Sequence, residues 1–221
     1  MARRDTIAVF DLDGTITRRD TYAAYLLGYG RRHARTWLRL TSLAFVAVAI
    51  LVRGRDRSLL KAAALQAVFG GLDRERIEAW NDSFVPWCLR RLSRADAVAR
   101  IAAHRRAGDR LLLATASLDL YVHRFARELG FDEVLCTRVA WTADGRVAGT
   151  LDGGNLKGAA KLAAVQRAVA AASRAPTVVA YSDHHADLPL LRWADRGVAV
   201  CPTAKLRAAA TAEGLAVEDW G

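Results

Sequence analysis

The stretch VFDLDGTITRRD, residues 9–20, decides how the rest of the chain is read. It grows out of TIAVF (6–10), a short continuous apolar run with β-branched members, the pattern of a strand buried on both faces. Asp11 and Asp13 come directly after it, two like charges two positions apart, with Gly14 behind them. On these residues alone a metal, a phosphate or an ordinary turn each accounts for the pair, since Asp-Gly is common in turns.

The remainder of the chain fixes the context. From Asp20 to Leu92 no strand pattern appears, only helical stretches punctuated by Gly28, Gly30, Gly54 and the pair Gly70-Gly71. After Ser93 the chain alternates: a helix over 95–107, a strand RLLLAT (110–115), a helix over 118–129 and a strand over 132–137. A hairpin is predicted across RVAW-TADG-RVAGTL, with Asp144-Gly145 supplying the turn chemistry. A helix over 155–172, a strand TVVAY (177–181), a helix over 186–194, a strand GVAVC (197–201) and a last helix from about 203 complete the chain. Strands alternating with helices predict an α/β fold, a Rossmann-like parallel sheet covered on both faces. The helical block interrupts that rhythm after the first strand. The expected organisation is therefore a core of 1–17 and 93–221 with an inserted helical cap of 18–92, plus the small β-hairpin.

Open parallel sheets bind ligands beyond the carboxyl ends of their strands. Those ends carry Asp11 and Asp13, then Thr115, then Ser182 and Asp183 with Asp187 four residues on. Lys157 and Lys161 fall at the start of the helix before the last of these strands, sharing a face if both are helical. Several carboxylates together repel unless a cation joins them, and hard oxygen donors select Mg²⁺. A lysine beside them neutralises a phosphoryl group. Thr115, ahead of a helix start, offers a hydroxyl and nearby amides to a phosphate oxygen. The set suits phosphoryl transfer with a carboxylate as nucleophile. Ser117 is read either as a second phosphate contact or as a helix N-cap, and Asp20 by its position as an N-cap of the first cap helix. His184 and His185 flank Asp183 as substrate contacts or surface polar residues; His33, His104 and His123 show no ligand spacing.

These residues resemble the motifs of the haloacid dehalogenase superfamily. DLDGT (11–15) is similar to its first motif in the DxDGT phosphatase form, Thr115 in LLLATAS to the second, a lysine of NLKGAAK to the third, and YSDHHAD (181–187) to the fourth. The insertion after the first motif resembles the helical cap of the subgroup that includes phosphoserine phosphatases and some bacterial phospholipid phosphatases. The resemblance implies Mg²⁺-dependent hydrolysis of a phosphate monoester through an aspartyl-phosphate on Asp11. Asp13 would be general acid and base, and Thr115 with Lys161 or Lys157 would bind the phosphoryl oxygens. Gly14, Thr15, Ser117 and Asp20 would contact substrate. Mg²⁺ would be held by Asp11, the Asp13 carbonyl and Asp183, with Asp187 in support.

Charge bears on the substrate. The chain has 33 Lys and Arg against 23 Asp and Glu, a net charge of +10, which points to an anionic partner. Residues 31–61 alone hold eight basic residues and one acid, Asp56, around the uncharged LTSLAFVAVAILV (40–52). At 13 residues that stretch is too short to span a bilayer. It reads as a buried helix, or as an interfacial one whose arginines meet anionic lipid. The substrate class thus stays open between a phospholipid-type monophosphate, phosphoserine and other small phosphates. A non-catalytic protein of the anionic membrane surface is the reading from a different class, against which the intact Asp11 and Asp13 argue. Nucleic acid is not expected, because no recognised module appears. Cys88, Cys136 and Cys201 are widely spaced without CxxC, fitting a reduced cytoplasm, and the N-terminus leaves no room for a signal peptide.

Overall fold

The structure, a computed structural model, describes residues 6–33, 36, 57–172 and 175–221. The stretch 40–52, read as a buried or an interfacial helix, and the arginines Arg35, Arg39, Arg53 and Arg55 lie outside the described residues.

Strand β1 (Thr6–Phe10) is the centre of the sheet, and its alternation sets the layering. Ile7 and Val9 join one apolar cluster, Ala8 and Phe10 the other, as the period of two requires. Among the described residues, β1 is followed by α1 (Thr21–Arg32), α2 (Arg57–Phe69), α3 (Arg74–Leu92) and then α4 (Ala95–Ala107). The alternating part continues as β2 (Arg110–Leu118), α5 (Asp119–Leu129), β3 (Glu133–Trp141), β4 (Val147–Asp152), α6 (Ala159–Ala170) and β5 (Thr177–Ser182). It closes with α7 (Leu188–Trp193), β6 (Arg196–Val200), α8 (Ala204–Ala212) and β7 (Ala216–Glu218). The strands form one sheet in the order β4-β3-β2-β1-β5-β6-β7. Every pairing is parallel except β3 with β4.

Helices α4 and α5 cover one face, while α6, α7 and α8 cover the other. The chain winds outward from β1 through β2 to β3 and then restarts at β5 on the other side of β1. That makes the carboxyl ends of β1 and β5 the switch point, where a ligand crevice opens.

The segment between β1 and α4 leaves and rejoins the sheet at one place. Thr17 and Ser93 form an antiparallel bridge, flanked by Arg18 N–H to Leu92 O at 2.8 Å and Arg94 N–H to Ile16 O at 2.9 Å. Asp20 caps α1 by accepting from Ala23 N–H at 2.9 Å, and Asp73 caps α3 by accepting from Arg76 N–H at 3.0 Å. Tyr25 and Tyr29 of α1 pack with Phe69, Trp80 and Phe84, each such side chain contributing ~1.5–3 kcal/mol on burial. Asn81 ties this cluster to α5, accepting from Tyr25 Oη at 2.8 Å and donating to Leu120 O at 2.7 Å.

Several local expectations need correction. The predicted strand over 132–137 and the first hairpin arm are one nine-residue strand, β3, so the hairpin's second arm extends the main sheet as its edge. The helix predicted from 155 begins at Ala159, because Gly158 turns the chain with φ 59°. The helix predicted from 186 is a 3₁₀ turn, His185–Asp187, leading into α7, with Pro189 in its first turn. β2 runs through Leu118, and the three-residue β7 is too short to leave a periodic signal.

Candidate active site

A cavity of about 380 Å³ opens at the switch point. Of its 13 lining residues, only Gly14 and Ala116 lack a polar or charged side chain.

β1 delivers Asp11 into this cavity, with its N–H held by Tyr181 O at 3.0 Å. The chain then folds back, Ile16 and Thr17 N–H both donating to Leu12 O at 2.9 Å, which presents Asp13 and Gly14 to the same space. Asp11 is 8% exposed, and its carboxylate accepts from Lys161 Nζ at 3.0 Å. Lys161, 2% exposed, also donates to Asp187 at 2.6 Å, and Ser182 Oγ donates to the same Asp187 oxygen at 2.8 Å. Burial pushes the Asp11 carboxyl up, Lys161 pulls it down, and Asp187, Asp183 and Asp13 push it up again, leaving it near 7. Burial alone would lower the Lys161 ammonium, but Asp11 and Asp187 outweigh it and hold the group protonated above its ordinary range.

Asp13 turns the other way. One oxygen accepts from Thr21 N–H at 2.7 Å at the start of α1, the other from Ser117 Oγ at 2.5 Å. Burial raises its carboxyl above the ordinary range, Asp20 adds to this, and the bonds from Ser117 and Thr21 oppose it. Ser117 lies within β2, so it is not the N-cap of α5; Leu118 occupies that position without a side-chain bond. Ser117 Oγ instead accepts from Tyr121 Oη at 2.9 Å while holding Asp13. Thr115 is 1% exposed, lines the cavity, and accepts from Ser117 N–H at 3.0 Å.

Asp183 comes directly after β5 and accepts from Thr15 Oγ1 at 3.3 Å. Burial raises its carboxyl to about 6 against its own backbone amide; Asp187 pushes further up, and Lys161 and Thr15 pull down. Gly14 has φ +82°, and a Cβ there would stand 2.2 Å from Asp183 Oδ2. The backbone of the first loop and the Asp183 carboxylate therefore meet only because residue 14 has no side chain.

The donor set fits Mg²⁺. Among the described residues no group of three His, Cys, Asp or Glu side chains converges as a ready-made ligand cluster. Mg²⁺ characteristically takes one or two carboxylates and keeps several waters, so Asp11 and Asp183 with a backbone oxygen of the Asp13 loop suffice. Asp187, committed to Lys161 and Ser182, stands behind them.

Three more of the sequence-predicted residues gather at the cavity. Lys157 precedes Gly158 in a loop, exposed at the cavity mouth, so it shares no helix face with Lys161. Asp20 caps α1 and also reaches the mouth, beside Arg18 and Arg19. His184 lines the cavity and caps the 3₁₀ turn through Nδ1, which accepts from Ala186 N–H at 3.0 Å.

One group at the site has no mark in the sequence beyond its place in a basic run, Lys61 of α2. Its Nζ donates to Ala116 O beside Thr115 and to Asn155 Oδ1 at 3.1 Å. No local signal singles it out, because the carbonyl it reaches is freed by an irregularity of the β2–β3 ladder between Ala114 and Leu118.

A family model described as haloacid dehalogenase-like hydrolase matches residues 8–192, and the chain belongs to that family. Among the relatives it matches are proteins named as phosphatases. It is 35% identical over 200 residues to protein CicA of Caulobacter vibrioides, covering 88% of this chain and 86% of that protein. It is 27% identical over 219 residues to phosphoserine phosphatase SerB1 of Mycobacterium tuberculosis, covering 96% and 70%. A solved protein of unknown function from Bordetella pertussis Tohama I superposes with a TM-score of 0.80 at 26% identity, covering 98% of this chain and 99% of that one.

Proposed function

We propose that the protein hydrolyses a small, polar phosphate monoester in two steps on Asp11. The observation that carries this reading is the buried triplet in which Lys161 bridges Asp11 and Asp187 beneath a cavity of about 380 Å³. Asp11 attacks phosphorus as the ester P–O bond breaks, and the leaving oxygen takes the proton of Asp13. Water then attacks the acyl phosphate, its proton passing to Asp13, and inorganic phosphate leaves with Asp11 restored. Lys161 and Thr115 bind phosphoryl oxygens, and Ser117 with Thr21 N–H holds the Asp13 carboxyl in place. Mg²⁺, held by Asp11, Asp183 and the Asp13 carbonyl, would supply a Lewis acid that screens phosphate from carboxylate.

The chain divides, on this reading, into a catalytic core of 1–17 and 93–221 and a cap of 18–92. The paired crossing at Thr17 and Ser93 supports that boundary. The charged side chains around the cavity and its modest volume favour a small leaving group over an acyl chain. Phosphoserine is the second reading, favoured by Asp20 at the mouth, where it would meet an amine, and by Arg18 and Arg19 beside it, which would meet a carboxylate. Among the described residues no helix is long and apolar enough to cross a membrane. A panel of phosphoserine, soluble sugar and nucleotide monophosphates, and lipid phosphates in detergent, run with Mg²⁺ on the wild type and Asp11→Asn, tests the proposal. Turnover of the soluble esters that vanishes in Asp11→Asn is expected; exclusive turnover of lipid phosphates contradicts the substrate class, and equal rates in both proteins contradict the nucleophile.

A further inference from the structure

Between Ala114 and Leu118 the β2–β3 ladder slips: Ala114 pairs with Leu135, but Leu118 pairs with Thr137. Four positions on β2 thus span two on β3. The extra length holds Thr115, Ala116 and Ser117, which lie at the active site. A bulge of this kind re-aims side chains, and it frees backbone groups from the ladder. Those groups must find partners elsewhere, because buried carbonyls are rarely left unpaired.

The Ala116 carbonyl finds two. Thr137 Oγ1 donates to it at 2.7 Å from the neighbouring strand. The second donor is the ammonium of Lys61, which arrives from α2, outside the alternating sheet. Lys61 also donates to Asn155 Oδ1 at 3.1 Å in the loop ahead of α6, and its Nζ lies 5.3 Å from the Tyr22 ring centroid. Tyr22 Oη in turn donates to Lys61 O at 2.7 Å, which ties α1 to α2 at the same point. One side chain therefore links the helical block, the bulge that carries Thr115 and Ser117, and the loop leading to Lys161.

We propose that Lys61 is a positioning residue, fixing the Thr115–Ser117 bulge in its catalytic geometry through the Ala116 carbonyl and making that geometry depend on the seating of α2. The inference rests on the proposed phosphatase mechanism, since it is there that Thr115 and Ser117 have roles. Lys61 touches neither Asp11 nor Asp183. It acts through Thr115, which meets phosphate, and Ser117, which holds Asp13 at 2.5 Å. A charge-assisted bond from an ammonium is about twice as strong as a neutral one, and it is directional on a carbonyl. Displacement of catalytic groups by about 1 Å costs up to ~10²-fold in rate.

The surroundings of Lys61 supply a second handle. Burial pushes its ammonium down to about 8; Asp13 and Asp20 oppose this, Lys157 reinforces it, and Cys136 opposes it. The neighbouring Tyr22 phenol is raised by burial and the Cys136 thiol is raised to about 12, so neither loses its proton near that pH. Deprotonated Lys61 keeps an N–H donor but loses the charge that strengthens the bond. Rate in the wild type should therefore fall above about pH 8, and an arginine, which stays charged, should remove that limb.

Lys61→Met and Lys61→Arg test the proposal. The methionine keeps most of the stem, and Thr137 still satisfies the Ala116 carbonyl, so the fold is retained. With an aryl phosphate and Mg²⁺, Lys61→Met should lower kcat about tenfold or more with KM changed less than about threefold. Lys61→Arg should recover part of the loss and flatten the alkaline limb. Hydrogen exchange at the Thr115–Ser117 amides, read without turnover, should quicken in Lys61→Met. A kcat within twofold of wild type, or a loss confined to KM, overturns the proposal, the latter by making Lys61 a substrate contact. Unchanged exchange overturns it as well. Faster exchange in a protein that hydrolyses no ester keeps the positioning of the bulge and removes the phosphatase reading instead.

Discussion

The ammonium of Lys161 stands 3.0 Å from Asp11 Oδ1, and the two side chains are 3% and 10% exposed. On the proposed mechanism the buried Asp11 carboxylate attacks phosphorus and needs a fixed positive charge beside it, and a second carboxylate, Asp187, holds that charge in place at 2.6 Å. Removing the lysine leaves two buried carboxylates facing each other with no counter-charge. Lys161→Met should therefore lose measurable turnover and, in metal-free buffer, ~3–5 kcal/mol of stability in urea denaturation. A variant of wild-type stability would show that the pair carries no such role.

Gly14 makes a different kind of contribution, by what it lacks. Its φ of +82° and the 2.2 Å approach of a Cβ to Asp183 Oδ2 leave no room for alanine. Gly14→Ala should push Asp183 away and weaken Mg²⁺ binding at least tenfold by titration calorimetry, while the sheet stays folded. Unchanged Mg²⁺ affinity would mean that Asp183 and the first loop do not act on one ion.

Acidity gives the proposed Mg²⁺ site a signature in stability. Burial raises the Asp11 carboxyl from 3.8 to about 7 and that of Asp183 to about 6. Groups raised on folding stabilise the native state below the unfolded value, and that stability is lost as pH rises through 6 to 7. Mg²⁺ binds the ionised carboxylates, so it should restore stability over the same window. The rise in Tm on adding Mg²⁺ should be small near pH 5 and larger near pH 8. A rise independent of pH would separate these carboxylates from the ion. Chelation with EDTA should abolish turnover, and Mg²⁺ should restore it.

Asp13 is expected to matter for proton transfer and little for folding. Asp13→Asn still offers groups to Ser117 and Thr21, so its Tm should stay near wild type. Its kcat on an alkyl phosphate should fall ~10²–10⁴-fold. On an aryl phosphate, whose leaving group needs no acid, the first step should survive and the second should slow. Equal losses on both esters would remove the acid role from Asp13.

The parts of this arrangement written in local sequence are legible there. TIAVF announces a buried strand, and the residues after it and after TVVAY sit at the ends of adjacent strands because the parallel register demands it. Lys157 reads as helical with Lys161 by spacing alone; the positive φ of Gly158 breaks that helix and leaves Lys157 exposed in a loop. Ser117 has the residue type and position of a cap, but β2 runs past it after the slip against β3, a feature set by two strands jointly. Lys61 lies 55 residues from the carbonyl that it holds. Its part depends on α2 meeting that slip, and no spacing encodes it.

Covalent capture on Asp11 tests the central claim most directly. Rapid mixing of the Asp13→Asn protein with an aryl phosphate and Mg²⁺, acid quench and peptide mapping should find one phosphoryl group on the peptide bearing Asp11. The same experiment with Asp11→Asn should find none. Ester hydrolysis with no phosphorylated peptide, or with the phosphoryl group on another residue, would contradict the account.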